Sequence, residues 1–269
     1  MTSIDQRKAL QVCEDILLDK KARNIQDRIL PSENIVIDRL LERRGEVQYA
    51  YNELYSKLGK NLPALITILE LLITVSSTHN LEEVKKSRDT ERQLNEVNRQ
   101  ICSKATELAE LLKRRSELIN TSCFTTDTHY HICNIISEAS LSNPYFTSYL
   151  QDKLKQLQGR FDLKYWPRLD DVMKTIADDA RMAVPVAIDS ITKAATIGVR
   201  ASLADYFRAL FEAIECNRQK ECGFLPNDFK LTDNSIATLA NCALGLMPED
   251  IIDGPYVKIL RNRESNRID

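Results

Sequence analysis

The chain has 269 residues, 43% of them hydrophobic and 28% charged, and its formal net charge is −2. These proportions exclude wholesale disorder, and the small net charge excludes a global attraction to nucleic acid or to an anionic membrane. Only 7 glycines occur, and neither GxGxxG nor GxxxxGK followed by Ser or Thr is present, which argues against a nucleotide-binding α/β fold.

The first apolar patterns predict a packed N-terminal region. Positions 37 to 58 carry apolar residues at a 3-4 spacing, and Gly59 follows as a helix stop. The stretch from Leu62 to Val75 is apolar on nearly every side, but it is shorter than the roughly 20 residues that a membrane-spanning helix needs. We therefore predict a central buried helix here and no membrane segment.

A long uninterrupted helix is predicted next. No proline or glycine occurs from Leu81 to Asn120, and a helix of that length would extend about 60 Å. Heptad spacing over residues 94 to 118 places Lys104 and Arg115 at two of eight positions and apolar residues at the other six. This pattern predicts a coiled coil, either within the molecule or between copies. The predicted interaction residues are Leu94, Val97, Ile101, Leu108, Leu111 and Leu118.

Shorter, better punctuated helices are predicted after a loop at residues 121 to 128. Ser202 with Asp205 fits a capping box, and Thr232 or Asp233 fits the start of a helix that Gly245 ends. No segment shows the alternation of a strand. The predicted class is all-α, with a long antiparallel helical hairpin or coiled coil (residues 1–122), a C-terminal multi-helix bundle (128–260) and a basic tail (261–269).

The stretch TSCFTTDTHYHIC, residues 121–133, holds two of the three histidines. Zinc sites use three or four converging ligands, usually as spaced pairs, and C-x5-H-x-H-x-C does not match that spacing. If residues 128–141 are helical, His129 and Cys133 share a face and His131 points away. That pair is a metal candidate; the alternative is a buried cysteine beside helix-terminal histidines. No cofactor is expected.

A second metal candidate is the carboxylate pair Asp171 and Asp178, seven residues apart on one face of a predicted helix. Paired carboxylates can hold Mg²⁺ for phosphate chemistry, but a site needs further acids, such as Glu82 or Glu83. A solvated acidic face is the alternative interpretation. Since no nucleophile motif such as GxSxG is present, a metal-dependent phosphohydrolase is only the second alternative function, and the chain is not expected to be an enzyme.

Four basic clusters occur, and the one at the C-terminus is the least neutralised by acids. Its residues are Lys258, Arg261, Arg263 and Arg267. Such residues can contact a phosphate backbone, so an accessory nucleic-acid-binding protein is the first alternative function. Surface pairing with nearby acids explains the other clusters.

The favoured function is non-catalytic, a scaffold, adaptor or assembly subunit. Its long helices would bind a protein partner or another copy of the chain, giving a homo-oligomer. Seven cysteines without a framework spacing, in a chain that begins without an apolar signal segment, indicate reduced thiols and a cytoplasmic location.

Overall fold

The computed structural model describes residues 3–198 and 200–268, with side chains described for 7–198 and 200–264. The described residues form thirteen α-helices and three short 3₁₀ helices, and no strand is found among them. The all-α prediction is therefore confirmed. The chain divides into two compact units, a core unit of residues 1–89 and 186–269 and an insert unit of residues 90–185.

Eight helices belong to the core unit. They are α1 (Ser3–Asp27), α2 (Pro31–Glu42), α3 (Arg44–Leu58), α4 (Leu62–Thr78), α10 (Ser190–Thr196), α11 (Leu203–Cys216), α12 (Asp233–Leu244) and α13 (Gly254–Ile268). The long helix α5 (Leu81–Thr121) begins in the core unit and continues in the insert unit, which also holds α6 (Ile132–Ala139), α7 (Pro144–Tyr149), α8 (Gln151–Arg160) and α9 (Leu169–Met182).

Helix α4 is the centre of the hydrophobic core, as its sequence predicts. Its side chains Leu65, Leu69 and Ile73 are fully buried, and it contacts α2, α11 and α12. Asn61 caps the helix by accepting a hydrogen bond from the Ala64 amide at 3.3 Å. Each buried Leu or Ile contributes about 1.5–3 kcal/mol to folding, so this helix supplies a large share of the stability of the core unit.

Helix α12 begins and ends where the sequence predicts. The Thr232 side chain caps it by accepting from the Ser235 amide, and Gly245 ends it with φ of 66°. That left-handed backbone is available to glycine without steric cost. At the same end, Arg43 donates to the Asn241 carbonyl at 2.8 Å, which satisfies one of the last carbonyls of the helix.

The insert unit contrasts with the core unit because it buries few large apolar side chains. The apolar residues buried in it are Ala105, Ala109, Cys133, Phe146, Ala177 and Ala180. Of these only Phe146 is large, whereas most of the exposed large apolar side chains of the described chain lie between residues 90 and 185. The insert unit therefore leaves much of its apolar surface in contact with water.

The predicted division of the chain at residues 122–128 differs from the two units found. The chain leaves the core unit at residue 89, inside α5, and returns to it at residue 186. The return happens because α11 and α12 pack on α4, a long-range pairing of apolar faces. The residues assigned to a separate tail, 261–269, are helical as far as Ile268 as part of α13.

Over the described residues no single helix is both long and apolar enough to cross a membrane, although α4 and α5 together meet the length and composition requirements as a pair bent by 59°.

Candidate functional site

The predicted interaction residues lie on one exposed stripe of α5, in the insert unit. We call this set (Leu94, Val97, Ile101, Leu108, Leu111 and Leu118) the α5 stripe. Its six side chains are between 40% and 59% exposed. The row is interrupted only at Lys104 and Arg115, and exposed apolar rows of this length mark interaction surfaces.

A different face of α5 packs inside the insert unit, which explains why the stripe remains outside. Ala105 and Ala109 are buried, and Leu112 and Ser116 are half-buried. These positions follow a 3-4 spacing rotated from the stripe, so one helix carries two apolar faces. The inner face carries two alanines, a serine and Leu112, and the outer face carries the six large apolar side chains of the stripe.

A shallow groove of about 370 Å³ runs along the middle of the stripe. Val97, Ile101 and Leu108 line it, together with Lys104 and with Met173 of α9. The groove is thus mainly apolar, with Lys104 and Gln100 as the polar side chains in its wall. A helix laid along α5 would insert side chains into it.

The structure does not place His129 and Cys133 on one face of a helix. Helix α6 begins at Ile132, so the prediction of a helix from residue 128 was wrong, and exposed His129 precedes the helix while Cys133 is buried in its first turn. The reason is the cap: His131 Nδ1 accepts a hydrogen bond from the Cys133 amide at 3.1 Å. Its buried ring lies 5.4 Å from the Trp166 ring. A buried cysteine beside a helix-terminal histidine is the arrangement found.

Asp171 and Asp178 each face a cation on their own helix α9. Asp171 lies 3.1 Å from Lys174 Nζ, and Asp178 lies 2.5 Å from Arg181 Nη1. Glu82 and Glu83, suggested as further ligands, belong to the core unit. Within the part of the chain that the structure describes, no three His, Cys, Asp or Glu side chains are grouped so as to hold a metal ion.

Two of the terminal basic residues are exposed and one is held within the fold. Arg261 pairs with Asp233 at 3.0 Å, donates to the Leu231 carbonyl at 3.2 Å and lies over the Phe211 ring. Lys258 and Arg263 are exposed on α13. The side chain of Arg267 lies outside the described residues.

The upstream basic clusters also use part of their charge inside the protein. Arg43 pairs with Glu46 at 2.7 Å, Arg44 pairs with Glu14 at 3.2 Å, and Arg88 is buried. Fewer cations are therefore left to face a phosphate backbone than the sequence count suggests.

Sequence reasoning missed a buried charge network in the core unit. The Asp205 carboxylate lies 2.9 Å from Arg88 Nη2 and also pairs with Arg208, while Arg88 donates to the Ala195 carbonyl. Asp205 completes the predicted capping box with Ser202 as well. The sequence around Ser202 indicates the cap. Arg88 lies more than a hundred residues before Asp205, and no local pattern indicates that their side chains form an ion pair.

A comparison of the chain with protein-family models, with curated protein sequences and with solved structures finds no match.

Proposed function

We propose that this chain is a non-catalytic assembly subunit that self-associates through the α5 stripe. The observation that carries the proposal is the exposure of six large apolar side chains at heptad spacing in a unit with only one large buried apolar residue among its described side chains. The proposal also keeps the cytoplasmic location expected from the cysteine content.

The energetics favour a reversible dimer. Twelve half-exposed side chains, six from each copy, contribute about 9–18 kcal/mol when they become buried, since each gains about half of the 1.5–3 kcal/mol of full burial. Association costs about 4–15 kcal/mol in lost translational and rotational freedom. A micromolar dimer requires a net gain of about 8 kcal/mol, which lies within the difference between these two ranges, so we expect a dimer that forms at micromolar concentration and dissociates on dilution.

The charges on α5 favour an antiparallel pair. In a parallel pair in register, Lys104 would face Lys104 of the second copy, and like charges at the seam are unfavourable. In an antiparallel pair centred on residue 106, Lys104 lies beside Leu108 of the other copy and within reach of its Glu107. The antiparallel pair thus removes one repulsion and gains two ion pairs by symmetry.

The test is a pair of lysine substitutions in the stripe. Leu108→Lys with Leu111→Lys places two charges in the seam, and we expect this variant to be monomeric by light scattering at concentrations where the unmodified chain is dimeric. The control is Ser103→Lys with Thr106→Lys, which adds the same charge at exposed positions outside the stripe. The control should remain dimeric. Equal masses for the two variants would contradict the proposal.

A further inference from the structure

A cavity of about 490 Å³ lies in the insert unit. Its walls come from the last turns of α5, from residues 125–130 and from residues 163–170. This volume is within the range of sites that bind small molecules, about 300–1,000 Å³. None of the six stripe residues lines the cavity, but Arg115, which does line it, occupies the heptad position between Leu111 and Leu118.

One cation in the cavity wall has no acidic partner among the described residues. Arg168 Nε lies 2.9 Å from Asp170 Oδ1, and Lys174 Nζ lies 3.2 Å from the other oxygen of that buried carboxylate. Half-buried Arg115 also lines the cavity, and the described residues include no carboxylate within ion-pair distance of it. A partly desolvated guanidinium without a partner attracts an anion and can bind it through two parallel hydrogen bonds.

The rest of the lining adds hydrogen-bonding groups and flat apolar surfaces. Ser116 and Asn120 follow Arg115 on α5, and three threonines of the connecting segment lie in the wall. Trp166 and Tyr130 also line the cavity. The lining therefore offers several N–H and O–H donors, which suit the three oxygens of a phosphate. The aromatic side chains offer surfaces on which a planar ring stacks.

A second cavity, which lies in the core unit, also has arginines in its wall, but these arginines have acidic partners. It measures about 330 Å³ and is lined by Arg218 and Arg261, among others. There Arg218 pairs with Glu215 at 2.7 Å and Arg261 pairs with Asp233 at 3.0 Å. Both arginines are already neutralised, so that cavity has no comparable attraction for an anion.

We propose that the cavity beside Arg115 binds a phosphate monoester that carries a planar ring, the chemistry of a nucleoside monophosphate. Arg115 binds the phosphate, the neutral donors of α5 and of the connecting segment complete its hydrogen bonds, and the ring lies against Trp166.

The chain offers a built-in reporter for the test. It contains one tryptophan, and Trp166 lines this cavity, so its fluorescence reports occupancy directly. The full-length chain is titrated with AMP, with adenosine and with ribose 5-phosphate, and isothermal calorimetry confirms each affinity. We expect a saturable change with AMP and at least about tenfold weaker binding of the two fragments, since each lacks one of the two recognised groups.

Substitutions separate a specific site from general charge attraction. Arg115→Gln should weaken AMP binding at least about tenfold, and Arg115→Lys should recover part of the affinity. The control Arg114→Gln removes the same charge from the adjacent, exposed position and should bind AMP as the unmodified chain does. Circular dichroism verifies that each variant is folded.

Two outcomes would overturn the proposal. One is the absence of saturable binding of AMP up to about 1 mM; the other is equal affinity in Arg115→Gln and Arg114→Gln. The monomeric variant Leu108→Lys with Leu111→Lys should still bind AMP, so a failure of the dimer and a failure of this site are distinguishable.

Discussion

The buried network around Asp205 gives a quantitative prediction about the stability of the core unit. The Asp205 side chain is 0% exposed, and those of Arg88 and Arg208 are 6% and 10% exposed. Replacing Asp205 by Ala leaves both guanidinium groups in the protein interior without this carboxylate. Arg208 retains Glu264 at 3.8 Å, so the larger deficit falls on Arg88, whose Nε and Nη1 find no hydrogen-bond partner among the described residues.

The expected loss of unfolding free energy in Asp205→Ala has two contributions. Removing one member of a buried ion pair costs about 3–5 kcal/mol, because the remaining charge stays desolvated. Losing the bond from the Ser202 amide to Asp205, 2.8 Å long, costs about 1 kcal/mol more. The free energy of unfolding should therefore fall by about 4–6 kcal/mol, which is a large part of the 5–15 kcal/mol that holds a typical domain folded.

Urea unfolding followed by circular dichroism measures this loss. The control is Asp38→Ala, which removes the partially exposed pair with Lys21 and should cost at most about 1 kcal/mol. Adding Arg88→Met to Asp205→Ala removes the uncompensated guanidinium, so the double variant should be more stable than Asp205→Ala alone. A loss below about 1 kcal/mol in Asp205→Ala, or a double variant less stable than the single one, would refute the reasoning.

Two further predictions concern titration and reactivity. Burial raises the pKa of Glu53, but hydrogen bonds from Lys57, Ser235 and Thr232 outweigh it, so the folded pKa lies below its ordinary value. Glu53 then stabilises the fold above its unfolded pKa and ceases to do so as the pH falls through the folded pKa. Glu53→Gln should lower the free energy of unfolding by about 1–2 kcal/mol at pH 7 and make no difference well below pH 4; an equal difference at both pH values would contradict this. Burial raises the pKa of Cys13 to about 12 and that of Cys242 to about 11. At pH 8 the folded chain should therefore react with a disulfide reagent at its exposed thiols, and Cys13 and Cys242 should react only on unfolding. Mass spectrometry identifies the labelled peptides, and label on Cys13 or Cys242 of the folded chain would contradict this prediction. The exposed thiols of the described chain are Cys123, Cys216 and Cys222.

Local signals in the sequence predict local structure well in this chain. The start of α12 at Thr232 and its end at Gly245 depend on side chains within a few residues of each helix terminus, so both could be predicted. The burial of most apolar side chains of Leu62–Val75 also follows from the composition of this stretch. Helix α6 begins four residues later than the apolar pattern predicts, because the pattern does not show that His131 caps the helix.

Features that depend on distant residues could not be predicted. Nothing near Arg88 or Asp205 indicates that the two side chains meet, and nothing near residue 186 indicates that the chain returns to the core unit. The heptad spacing identified the α5 stripe, but its exposure depends on which face of α5 the insert unit covers. The cavity beside Arg115 likewise requires three separate segments to come together.

Sedimentation equilibrium of the unmodified full-length chain tests self-association most directly. The chain has a mass of 30.8 kDa. We expect the average mass to rise from that value toward twice that value as the concentration increases from about 1 to about 200 µM, as a micromolar dimer requires. A mass that stays at 30.8 kDa over the whole range would contradict the account.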